Sequence, residues 1–143
     1  MPRKIPAALQ DQVRQRANYL CEYCHTNERW QYDPFTMDHI LPSGEDTIEN
    51  LALACFHCNR RKSDRQEALD PETGRIAPLF NPRQHIWGEH FIWSSNGLLI
   101  IPRTEIGRAT VALLELNRDR ACSIRSEDVK VNRHPPVGDP IEQ

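Results

Sequence analysis

The sequence lacks a long apolar run: nothing in its 143 residues approaches the roughly 18 apolar residues that a membrane span needs. It also lacks a dominant charge. Lys and Arg total 18 against 20 Asp and Glu, a formal net charge of −2. That excludes the overall basic field of a histone-like or nucleic-acid coat protein. No apolar segment follows the basic residues of Met1-Pro2-Arg3-Lys4-Ile5-Pro6, so no secretory signal is read there. Hydrophobic residues make up only 38%, lean for a globular chain, and a thin core of this size gains from a staple such as a metal. The 11 prolines stand singly or in short pairs, which excludes a long Pro-rich linker. Neither an internal repeat nor a low-complexity tract is present. The chain is therefore expected to be soluble and cytoplasmic, without a membrane partner.

Against these absences stand five cysteines, four of them in two Cys-x-x-Cys pairs, Cys21/Cys24 and Cys55/Cys58. In a reducing compartment such pairs point to metal rather than to disulfides. Each Cys-x-x-Cys turn sets two thiolates on one side of a tight knuckle, and two knuckles supply the four soft ligands of tetrahedral zinc. One structural Zn²⁺ per chain is expected. The intervening segment exceeds a short zinc-ribbon spacing, so something folded must sit between the knuckles. A redox pair is the rival reading, but the βαβ setting it usually has is missing. The fifth thiol, Cys122, reads as a small buried hydrophobe.

Periodicity predicts a helix over 6–20, with Pro6 at its first position and Leu9, Val13, Ala17 and Leu20 on one face; Arg14 and Arg16 fall toward solvent. Phe35 to Leu41 and Leu51 to Ala54 read as short strands. A second helix is expected from an Asn59 cap to about Leu69. Asp70 to Gly74 is a turn and the best internal boundary. Beyond it, apolar runs from His85 to Trp93 and Leu98 to Ile101 flank Asn96-Gly97, a hairpin signal. Trp87, Phe91 and Trp93 read as its core, with His85 and His90 structural. Helices follow over 105–116, capped by Thr104, and 119–130, and the last ten residues read as a frayed tail. The organisation expected is a core over 1–70, an extension over 71–133 packed on it, and a tail over 134–143.

The chemistry-bearing residues lie inside and just after the cysteine gap. Cutting a phosphodiester needs a base for water, which an imidazole suits at neutral pH. It also needs a hard divalent cation on oxygen ligands to neutralise charge on the phosphate and leaving oxygen. His39 is such a base, and Asp38 and Asn59 are such ligands. An ideal strand points Asp38 and His39 to opposite faces, so a twisted strand is required for both to reach one phosphate. Taken singly, Asn50 is an ordinary turn residue and Asn59 an ordinary cap.

The ordered set Asp38-His39-Ile40-x-Pro42, Asn50-Leu51 and Cys55-x-x-Cys58-Asn59-x-x-Lys62 resembles the HNH endonuclease motif in its zinc-stapled form. The downstream stretches Leu79-Phe80-Asn81-Pro82-Arg83, Trp87-x-x-His90-Phe91-x-Trp93 and Gly107-Arg108-Ala109-Thr110-Val111 are similar to a small bacterial, notably cyanobacterial, subgroup of those proteins. The resemblance implies a ββα-metal core, and with the elements read above the expected architecture is α+β: that core with a four-cysteine zinc site, an N-terminal helix and a C-terminal hairpin-plus-helix extension. It implies His39 as the general base, Asp38 and Asn59 as ligands of one Mg²⁺-type ion that stabilises the leaving 3′ oxygen, and Asn50 as the residue orienting the His39 segment. The implied products carry 5′-phosphate and 3′-hydroxyl ends. Asn59 stands where the family name has its last His, an oxygen ligand that favours Mg²⁺ over soft metals; His57 is a rival ligand. Duplex DNA is the expected substrate, with Arg60, Arg61, Lys62 and Arg65 as phosphate-binding candidates and Arg3, Lys4, Arg14 and Arg16 as a further footprint. The alternative is a zinc-stapled nucleic-acid- or protein-binding module without catalysis, which would not need Asp38, His39 and Asn59 together.

Overall fold

The computed structural model describes residues 4–143; Arg3 of the expected basic footprint lies outside them. The fold is α+β, and among the described residues it holds three two-stranded antiparallel sheets and five α-helices. The chain forms two compact units, one of residues up to 66 together with 81–83, the other of 67–80 and 84–143. Among the described residues no helix is long and apolar enough to cross a membrane.

In the first unit, helix α1 (Ala7–Arg16) begins one residue after Pro6, which is the cap rather than the first helical residue. It ends four residues before the periodicity does, because Asn18 and Tyr19 adopt φ of 53° and 61°, left-handed backbone that a right-handed helix cannot continue. Val13 carries its stripe into the core. Arg16 is exposed as expected and Arg14 is half-buried, but neither stands free in solvent. Arg14 donates to Glu28 at 2.9 Å and to the Phe35 carbonyl at 3.3 Å, and Arg16 donates to the Ile48 and Leu51 carbonyls. Both arginines fasten the helix to the loop and strand that follow.

Strands β1 (Thr36–His39) and β2 (Leu51–Ala54) pair antiparallel with Thr36 opposite Ala54 and His39 opposite Leu51. All four β2 residues are buried, as expected of a short strand covered on both faces. Helix α2 (Phe56–Lys62) differs from its expected span. Its cap is Cys55, whose sulfur accepts the Cys58 N–H at 3.4 Å, so the second cysteine knuckle is itself the first turn of the helix. Asn59 therefore lies mid-helix. The helix stops at Ser63, where φ is 51°, and residues expected to prolong it form strand β3 (Glu67–Leu69).

In the second unit β3 pairs with β4 (Ile76–Pro78) around the Asp70–Gly74 turn. The segment expected as one strand from His85 instead makes a single helical turn, α3 (Trp87–His90), before β5 (Phe91–Trp93). The Asn96-Gly97 turn then returns the chain as β6 (Ile100–Pro102), with Phe91 opposite Pro102. Thr104 caps α4 (Glu105–Leu114) by accepting the Gly107 N–H at 3.0 Å, and α5 spans Asp119–Lys130. Trp87, Phe91 and Trp93 are buried together, with ring centroids 5.1 and 5.7 Å apart. His85 and His90 pack against Phe80. Cys122 is half-buried rather than enclosed.

The last ten residues are not frayed. The Trp93 amide donates to the Pro140 carbonyl at 3.0 Å, the Glu142 amide donates to the Trp93 carbonyl at 2.9 Å, and Trp93 Nε1 donates to Asp139 at 2.9 Å. The His134 ring stands edge-on to the Trp93 indole at 4.3 Å. A tail of this composition docks because the indole offers both an apolar face and an N–H needing an acceptor.

Candidate functional site

The four cysteines of the two knuckles converge. Their sulfurs all lie within 4.8 Å of one another, and none is in a disulfide. Cys24 Sγ and Cys55 Sγ are 3.8 Å apart. Sulfurs at the corners of a tetrahedron around a metal bound at about 2.3 Å would be separated by about 3.8 Å, so the spacing fits a four-thiolate metal site. In each knuckle a backbone N–H supports a sulfur, Cys24 to Cys21 at 3.5 Å and Cys58 to Cys55 at 3.4 Å. Hydrogen bonds from Cys21, Cys55 and Cys58 hold the Cys24 thiol well below its usual range, while burial pushes Cys21 well above it. A cation shared among them would offset the mutual repulsion of four thiolates. The first knuckle is also built onto β2: the Glu22 amide donates to the Leu53 carbonyl at 2.8 Å, and the Leu53 amide donates to the Glu22 carboxylate at 2.7 Å.

Between the knuckles, β1 carries Asp38 and His39 to different surroundings. His39 is half-exposed, and its Nε2 lies 2.6 Å from Asp46 Oδ1 in the loop joining β1 to β2. Asn50 closes that loop. Its Oδ1 accepts the Leu41 N–H at 2.9 Å, and its Nδ2 donates to the carbonyls of Leu41 at 3.1 Å and Glu45 at 3.2 Å. These bonds fix the residues that follow His39. Gly44 is required by that closure, because a Cβ there would lie 2.4 Å from Asn50 Nδ2.

Asp38 turns the other way, only 2% exposed. Tyr23 of the first knuckle donates its hydroxyl to Asp38 Oδ2 at 2.6 Å, and Lys62 Nζ lies 3.2 Å from the same oxygen. Burial pushes the Asp38 carboxyl above its ordinary range, against the opposing pull of the Lys62 charge and the Tyr23 bond. Burial and the facing carboxylate likewise push Tyr23 well up. Thr36, two residues along β1 and on the same face, accepts a bond from Asn59 Nδ2 at 2.7 Å. Asn59 and Lys62 lie three apart on α2, so one helix face meets Thr36 and Asp38 in register. The Asn59 side-chain oxygen takes no part in this bond to Thr36.

The structure thus sets Asp38 and Asn59 along one face of β1 and His39 on the other, as strand alternation dictates. Of the cationic candidates, Arg60 and Arg65 are exposed and Arg61 is half-buried. Lys62 is enclosed at 3% exposure and faces a carboxylate rather than a surface. Two partners were not singled out from the sequence. Asp46 sits in a loop whose path no motif specifies, and Tyr23 looks like an ordinary filler between two cysteines.

Asp38 and Asn59 are hard oxygen donors suited to a Mg²⁺-type ion, and the four thiolates are suited to a softer one. Comparison with curated proteins and with solved structures found no match. The family model described as HNH endonuclease matches residues 21–65, the stretch that contains both knuckles, β1, β2 and α2.

Proposed function

We propose that the protein is a metal-dependent endonuclease that hydrolyses phosphodiester bonds in DNA, with His39 as general base. The observation that supports this most directly is the His39–Asp46 contact at 2.6 Å on the half-exposed side of β1. A carboxylate accepts only, so it selects the tautomer with the proton on Nε2 and leaves the lone pair on Nδ1. Nδ1 is then the atom that takes the proton from water, and Asp46 stabilises the imidazolium so formed. Asn50 holds the segment after His39 in place through its three bonds to the loop.

Asp38 and Asn59 are the residues that would hold the catalytic cation, whose chemistry is to neutralise charge on the scissile phosphate and on the leaving 3′ oxygen. The four cysteines hold a structural Zn²⁺ that keeps α1, the β1–β2 hairpin and α2 together and performs no step itself. Arg60 and Arg65, both exposed, bind backbone phosphates and give a salt-dependent affinity. The near-neutral charge of the chain accords with little reading of base sequence.

A second reading, a metal-stapled binding module without hydrolysis, has one observation in its favour: Asp38 is already engaged by Tyr23 and Lys62. Supercoiled plasmid incubated with the wild type and with His39→Ala, in Mg²⁺ or Mn²⁺ and in EDTA, separates the two. The nuclease reading expects cation-dependent nicking that His39→Ala abolishes while its bound zinc stays unchanged. A folded, zinc-loaded wild type that leaves duplex and single-stranded substrates intact would establish the binding module instead.

A further inference from the structure

Lys62 is the one buried member of the three basic residues in α2. Its ammonium is seated among three oxygens, Asp38 Oδ2 at 3.2 Å, Asp38 Oδ1 at 3.4 Å and the His39 carbonyl at 3.3 Å. Charge-assisted N–H···O bonds usually close to about 2.7–2.9 Å, so the ammonium is surrounded rather than tightly bound. Two carboxylate oxygens and a backbone carbonyl also form the all-oxygen lining that a hard divalent cation prefers. With Asp38 only 2% exposed, solvent does not reach its carboxylate while Tyr23 and Lys62 stand against it.

We propose that Lys62 is the resident counter-ion of this cation site, so that a divalent cation reaches Asp38 by exchange with the Lys62 ammonium and not by addition next to it. The inference rests on the reading of Asp38 as a cation ligand. It explains how a buried carboxylate can be held ready in the fold: the ammonium offsets the desolvation of the carboxylate until a stronger charge replaces it. The exchange adds one positive charge to the oxygen cradle and releases another at the end of a flexible stem. Both favour a nearby phosphate, so nucleic acid and cation strengthen each other's binding, and the coupling is reciprocal.

Lysine reactivity reads the exchange directly. The chain has three lysines, Lys4, Lys62 and Lys130, and Lys4 and Lys130 are exposed, so they serve as internal references. The zinc-loaded wild type is acetylated with and without Mn²⁺, and the rate at each lysine is followed by mass spectrometry. Mn²⁺ binding to the wild type, Asp38→Asn and Lys62→Met is titrated in parallel by electron paramagnetic resonance. The expected results are acetylation of Lys62 about tenfold faster with Mn²⁺, unchanged Lys4 and Lys130, and about tenfold tighter Mn²⁺ binding in Lys62→Met, within the usual span of coupling between sites. If Mn²⁺ binds and Asp38→Asn abolishes that binding, yet Lys62 reactivity does not change, the cation adds beside the pair. The exchange is then overturned while the cation site stands. If Mn²⁺ binds none of the three proteins, or binds Asp38→Asn as well as the wild type, the reading of Asp38 fails and the exchange falls with it. Should Lys62→Met not fold, the wild-type acetylation rates decide alone.

Discussion

Each compact unit buries one aspartate against a basic side chain, and the two aspartates are treated in opposite ways. In the second unit Asp70 is fully enclosed and receives a full set of donors. Arg108 grips it with two bonds of 3.0 Å, the Glu72 amide donates at 3.0 Å and the Thr73 hydroxyl at 2.9 Å. The arginine bonds hold its carboxyl well below the usual range. In the first unit Asp38 receives one short bond from Tyr23 and a loose ammonium, and burial pushes its carboxyl up. Geometry explains the contrast: a guanidinium fork matches both carboxylate oxygens at once, and a lysine delivers a point charge. Asp70 therefore pins the β3–β4 turn to α4, whereas Asp38 retains unspent acceptor capacity beside the candidate site.

The strongest way to break the comparison is to disrupt the four-cysteine cluster, which among the described residues is the one candidate metal site and lies in the first unit. Metal extraction, or Cys24→Ser, is expected to unfold residues up to 66, since a structural zinc site contributes about 10–16 kcal/mol of apparent binding energy to folding. Hydrogen exchange would then show lost protection in α1, β1 and β2 with protection kept in α4 and α5. Equal loss in both units would mean that the second unit has no stability of its own.

Next in size is the Asp38–Lys62 pair. Lys62→Met leaves a buried carboxylate without its counter-ion and is expected to cost about 3–5 kcal/mol in denaturant unfolding. Adding Asp38→Asn to that background removes the uncompensated charge and should recover most of the loss. Failure to recover would show that Lys62 packs rather than neutralises.

The Asp70 pair sharpens the contrast through pH. Because the folded carboxyl titrates below the unfolded one, its contribution is fully present above the ordinary carboxylate range, around pH 4, and is lost as pH falls below it. Asp70→Asn should lower the melting temperature of the second unit by roughly several degrees at neutral pH and flatten its decline in acid. An unchanged acid decline would assign that decline to other carboxylates. The smallest effect is expected at the fifth cysteine. Cys122 makes only weak contacts, 3.4 Å to the Leu98 carbonyl and 3.5 Å to that of Asn117. Cys122→Ala should therefore change stability by less than about 1 kcal/mol and leave the bound metal per chain unaltered.

Much of this was legible one residue at a time. The spacing of the cysteines anticipates their convergence. The alternation of a strand anticipates that Asp38 and His39 diverge, and Asn96-Gly97 marks a hairpin that the structure contains. The misreadings share a cause. Asn59 is a good cap by type, yet the sulfur of Cys55 had already accepted an N–H and capped the helix four residues earlier. Residues 67–69 have too little periodicity to announce a strand, and they become one through pairing with Ile76–Pro78. The last ten residues look like a tail until the Trp93 indole and backbone take up Asp139, Pro140 and Glu142.

By itself the sequence determined the four-thiol ligand set, the ordered Asp-His, Asn and Asn positions, and the helices whose stripes and caps are local. These depend on spacing along the chain, which is short-range and needs no partner. Tertiary structure alone decided that Asp46 faces His39, that Tyr23 and Lys62 close on Asp38, and that Lys62 is enclosed while Arg60 of the same helix is exposed. A side chain's charge is written in the sequence, but whether water, phosphate or a buried carboxylate answers it depends on residues 15 to 24 positions away, and only packing brings those together.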